Sequence, residues 1–83
     1  MKNSLNDKVK KCINNIEIYS QMAQNSFSRE MEDLNTALDT QSTEDIAFYL
    51  ASEAHRKTLE SLKRREEKKL KQLKEELVAT ILN

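Results

Sequence analysis

Glycine, proline and tryptophan are all missing from this 83-residue chain. Without glycine no residue takes positive φ free of steric cost, so phosphate-cradling loops, tight β-hairpin turns and strained nucleophile elbows are excluded in their usual form. Without proline, nothing forces a helix to stop. One cysteine cannot form an internal disulfide and fits a reducing compartment. No apolar run is long enough to cross a bilayer and no secretory signal is evident, so a soluble cytoplasmic protein without a membrane span is expected.

What the chain does contain is charge and helical periodicity. Charged residues make up 34% and apolar ones 37%, too polar for a thick globular core but suited to two helices meeting along a thin seam. The run from Ile46 to Leu82 reads as one helix. Its apolar beat falls at Leu59, Leu62, Glu66, Leu70, Leu73, Leu77 and Ile81, spaced three or four apart. These positions stay within an arc of about 100°, the eleven-residue repeat of a nearly straight stripe. A second stripe runs Leu5, Val9, Cys12, Ile16, Tyr19, Ala23 and Phe27, with Ile13 and Met31 beside it and Leu34, Ala37 and Leu38 closing it.

Between the stripes lies Asn35 to Thr43, rich in Asn, Asp, Ser and Thr, which compete with the backbone for hydrogen bonds and favour caps and turns. The expected layout is a single helical-hairpin domain over residues 1–83: helix 1 over about 4–37, a turn over about 38–42, helix 2 over about 43–82. Asn3 or Ser4 is the expected cap of the first helix and Ser42 or Thr40 of the second, with Glu44 and Asp45 in its first turn. The competing reading is one unbroken helix. Folding about residue 41 sets Leu77 near Leu5, Leu73 near Val9 and Leu62 near Tyr19, so the stripes meet. The expected fold class is therefore all-α, two long antiparallel helices in a coiled-coil-like hairpin, completed to a four-helix bundle by dimerisation or by a partner.

Some residues fall off the stripes. Phe48 and Ala51 lie near the backward extension of the main stripe, while Ile46 and Leu50 fall on the other side of the helix. Two readings compete there: a small local core at the hairpin tip with Phe27, Met31 and Leu34, or an anchor for another chain. Ile18 and Met22, four apart, would be exposed on a bare hairpin. Ile18, Met22, Ile46, Tyr49 and Leu50 are thus the expected partner-binding residues.

Formal charge is zero overall but uneven: +3 over residues 1–16, −7 over 17–53, +6 over 54–74 and −2 from Glu75 and Glu76. Lys63, Arg64, Lys68, Lys69 and Lys71 are candidates for holding a polyanion. Interleaved glutamates at i, i+4 spacing favour a plain solvated face instead. His55, the only histidine, is expected partly covered at the seam rather than as a metal ligand. Cys12 reads as a small buried hydrophobe. Glu66, the polar residue in the main stripe, is expected to reach Lys10, Lys11 or Arg65, or to mark register. No catalytic, cofactor or metal constellation stands out, and an enzyme is not expected.

In size and layout the chain resembles the small helical-hairpin co-chaperones and accessory subunits of bacterial secretion systems, and equally phage or plasmid regulators. Secreted hairpins with a Trp-x-Gly turn are excluded, because neither residue occurs. The expected function is a non-catalytic protein–protein interaction module, chaperone- or adaptor-like, that covers or scaffolds an amphipathic segment, through helix–helix packing with another protein or with itself. The alternatives are a nucleic-acid-associated helical dimer using the basic 63–74 face, and a purely structural self-assembling coiled coil.

Overall fold

The computed structural model describes the backbone of residues 2–83 and the side chains from Ser4 onward. Two helices pack against each other, α1 (Lys2–Thr40) and α2 (Thr43–Leu82), with no strand among the described residues. The rod measures 63 × 14 × 14 Å, with a radius of gyration of 18.5 Å. A compact chain of this length would have one of about 12 Å.

α1 runs on to Thr40, beyond the expected end near residue 37, and the connection shrinks to Gln41 and Ser42. Gln41 does the turning, with φ of 52° in the left-handed region. Its N–H donates to the Ala37 carbonyl at 2.8 Å, closing α1 by the single-bond left-handed cap. Ser42 starts α2: its hydroxyl accepts from the Asp45 N–H at 3.3 Å, and Glu44 and Asp45 occupy the positive end of the dipole. Thr40 acts as a brace instead of a cap, donating to the Asp45 carboxylate at 2.6 Å and accepting from the Ser42 N–H at 3.3 Å. Ser4 lies inside α1 and the side chain of Asn3 lies outside the described residues, so neither expected cap of α1 is seen.

The inward-facing residues alternate three and four apart along both helices, a heptad pattern in place of the expected eleven-residue repeat. In α1 they are Leu5, Val9, Cys12, Ile16, Tyr19, Ala23, Ser26, Glu30, Asp33 and Ala37; in α2, Asp45, Tyr49, Ser52, Arg56, Leu59, Lys63, Glu66, Leu70, Leu73 and Leu77. Equal rise on both sides of Gln41 brings them level in order, Leu5 with Leu77 at one end and Ala37 with Asp45 at the other. Leu5 and Leu77 line a common cleft, which places them together directly.

This order divides the seam in two. Near the termini it is mostly apolar: Leu5, Val9 and Cys12 come level with Leu77, Leu73 and Leu70, before Ile16 meets the level of Glu66. Towards the turn it is polar, with Ser26, Glu30 and Asp33 meeting Tyr49, Ser52 and Arg56. Glu30 is only 2% exposed. It accepts from Nε and Nη2 of Arg56, which also reaches Glu60 at 3.0 Å. The Ser52 hydroxyl donates to Asp33, and Tyr49 donates to Glu53 at 3.0 Å.

Several expectations are corrected by this arrangement. Phe27 is not in the seam; Ser26 takes the place and the ring is 49% exposed. Phe48 and Ala51 do not extend the main stripe either, because Tyr49 and Ser52 occupy it and both lie exposed. Ile81 and Leu38 stand in solvent beyond the seam, and His55 is exposed beside it. Glu66 turns to Cys12, not to Lys10, Lys11 or Arg65. Its carboxylate accepts from the thiol at 3.1 Å and from Lys69 at 3.4 Å.

Candidate interaction surface

A seam that is polar near the turn leaves the apolar side chains of that region outside it. Phe27, Met31, Leu34 and Leu38 follow one another at steps of four, three and four, one narrow stripe along α1. Met31 and Leu34 are half-buried, Phe27 and Leu38 exposed. On α2 the stripe is answered by Ile46 and Leu50, 44% and 54% exposed.

Arg56 shows that these residues share one flank of the hairpin. Its guanidinium lies 5.9 Å from the centre of the Phe27 ring while bonded to Glu60. Phe27 and Leu34 are seven apart on α1, and Ile46, Glu53 and Glu60 are seven apart on α2. Residues seven apart keep step with a heptad seam. The first flank therefore carries Phe27 and Leu34 opposite Ile46, Glu53 and Glu60. The local core anticipated at the tip, with Phe27, Met31 and Leu34 wrapped by α2, is not closed in the single chain.

The expected partner-binding residues are not brought together. Ile46 and Leu50 lie on the first flank. Met22 lies on the opposite one, in a shallow depression with Arg29, His55 and Leu59, and Ile18 stands one turn away from it, 46% exposed. Tyr49 faces inward, half-buried at the level of Asp33, with its hydroxyl committed to Glu53. That hydrogen bond pushes the phenol above its ordinary range. Lys57 first, and Tyr49 second, hold the Glu53 carboxyl below its own. Apolar periodicity assigns Phe27, Leu34 and Leu38 to the seam instead of this surface; the signal against it is the run of polar residues Ser26, Glu30 and Asp33 at seam spacing.

The basic candidates are dispersed around α2. Lys63 is half-buried at the level of Tyr19, Lys69 pairs with Glu66 on the second flank, Arg64 and Lys71 lie on the first, and Lys68 points away from α1. Cys12 is buried, and burial foremost, with Glu66 second, raises its thiol above the ordinary range. The same hydrogen bond from Cys12 is the main reason Glu66 is held low. Among the described residues no group of three His, Cys, Asp or Glu side chains is arranged to hold a metal ion, and no helix is long and apolar enough to cross a membrane. No protein-family model, curated protein or solved structure matches the chain.

Proposed function

We propose that the chain is a non-catalytic protein–protein interaction module, a helical hairpin that covers an amphipathic helix with its first flank. The observation that carries this reading is the inversion near the turn: Glu30, Asp33 and Arg56 inside, Phe27, Leu38, Ile46 and Leu50 outside. Buried polar groups contribute little net stability even when well paired. Apolar side chains in water contribute nothing until something covers them, about 25 cal/mol for each Å² removed from water.

The exposed area agrees. The chain presents 6551 Å² to solvent, whereas a compact protein of 9.7 kDa would present about 5,100 Å². The elongated rod accounts for the difference, and it leaves the flank ample room for the roughly 800 Å² that each partner contributes to a standard interface. Such a surface suits an adaptor or chaperone role, because an amphipathic helix laid into an apolar groove is a recurring recognition mode.

The test uses a fluorescent amphipathic helical peptide with leucines at i, i+3, i+4 and i+7 and a lysine rim, titrated with the hairpin. Saturable binding that is lost in Leu38→Asp and Leu50→Asp, with helicity unchanged, is the expected result. Equal binding by the folded variants would reject the flank as the surface.

A further inference from the structure

The first flank has an internal order that its turn end alone does not reveal. Followed along α2 in step with the seam, it reads Ile46, Leu50, Glu53, Lys57, Glu60, and then Arg64, Glu67, Lys71, Lys74, Val78. The second five complement the first five in reverse. Laid antiparallel on a second α2 about its centre near residue 62, Ile46 meets Val78 and Leu50 meets the aliphatic stem of Lys74. Glu53 then meets Lys71, Lys57 meets Glu67, and Glu60 meets Arg64. Of these five levels on α2, three pair acid with base, one pairs apolar with apolar, and one lays Leu50 on a lysine stem. A parallel arrangement sets every one of these residues against its own copy.

From this order we infer that the helix pair covering the first flank belongs to a second copy of the chain, packed face to face and antiparallel with α2 against α2. This rests on the reading of the flank as an interaction surface and names its occupant. In such a pairing a two-fold axis across the rod stacks like helices on each other, so α1 lies against α1. There Phe27 comes level with Ile13, the exposed isoleucine on the same face of α1, 43% exposed. Val78 and Ile81, 53% and 73% exposed, stand at the end where the partner's tip would arrive. Beside them Lys71, Lys74, Glu75, Val78 and Ala79 line a shallow depression.

Overall charge acts in the same direction. The acidic stretch 17–53 holds the turn and the basic stretch 54–74 lies farther along α2, so opposed hairpins set unlike fields together and aligned ones set like fields together.

The experiment uses the full chain in a Cys12→Ala background. Ala47→Cys, on the outward face near the turn, is spin-labelled and the label-to-label distance measured by pulsed electron resonance. The antiparallel pair sets the labels about 45 Å apart, whereas parallel hairpins leave them within about 25 Å. Alongside, Glu67→Lys places a lysine against Lys57 of the other copy at two symmetric points and weakens dimerisation about tenfold or more, and Lys57→Glu with Glu67→Lys in one chain restores it. A short distance, or a double variant as weak as the single one, overturns the inference. Absence of any coupling also overturns it. In that case continued binding of the amphipathic peptide would leave the interaction reading standing, and its loss would remove both.

Discussion

The carboxylate of Glu30, buried in the seam of α1, is held from across the hairpin by the guanidinium of Arg56, which in turn lies over the exposed ring of Phe27. The relationship joins the two halves of the account. A charged pair occupies the place where apolar side chains would normally meet, and the apolar side chain is displaced to the flank.

Removing one partner of this pair leaves a buried charge, whereas removing both does not. Arg56→Ala is expected to lower the urea midpoint clearly. Glu30→Leu with Arg56→Leu should recover it to the parent value or above. Both are read at fixed protein concentration, because association adds to apparent stability. A double variant weaker than Arg56→Ala would show that the pair itself stabilises the seam.

Gln41 has the only positive φ among the described residues. A left-handed residue with a Cβ costs about 1–2 kcal/mol, part of which glycine loses again through its freer unfolded chain. Gln41→Gly is expected to stabilise the hairpin by about 1 kcal/mol in chemical denaturation.

Leu59, 4% exposed, is the most buried aliphatic residue described. Leu59→Ala should cost about 2–4 kcal/mol, while Leu38→Ala at a 64% exposed site should change single-chain stability by less than about 0.5 kcal/mol.

The Cys12–Glu66 contact sets opposite pH limits. Glu66 titrates below its ordinary 4.5 when folded, so its contribution is complete above that value and is lost as pH falls through the folded value. Cys12 titrates above 9.0 when folded, so its contribution holds below 9.0 and is lost as pH rises beyond it. Thermal melts across pH 3–11 should show both limbs, with Glu66→Gln flattening the acid limb. The native thiol should react with iodoacetamide far more slowly than the urea-unfolded chain, since only the thiolate attacks.

The hairpin itself was legible in the sequence because Leu70, Leu73 and Leu77 repeat at helical spacing and meet Val9 and Leu5 once the chain folds at the Asn-Asp-Ser-Thr cluster. The half of the seam near the turn was not. Apolar periodicity assigns Phe27, Leu38 and Phe48 to the interior, because the hydrophobic rule carries no information about Glu30 finding Arg56 across the hairpin. With that pair and the Asp33–Ser52 contact spanning the seam there, Ser26 faces inward and Phe27 outward. Tyr49 parts from its neighbours Ile46 and Leu50 for the same reason: they lie on the flank, while it is half-buried at a seam position with its hydroxyl on Glu53. The complementarity of α2 with itself was present in the residues throughout, yet it becomes readable only when the seam establishes which positions share the flank.

The most direct measurement is solution mass by light scattering, with circular dichroism, over a concentration series for the parent chain and Leu50→Asp. The parent is expected to have about twice the 9.7 kDa chain mass and near-complete helicity, falling to one chain in Leu50→Asp with the helices retained. A fully helical 9.7 kDa parent, unchanged in mass by Leu50→Asp, would contradict it.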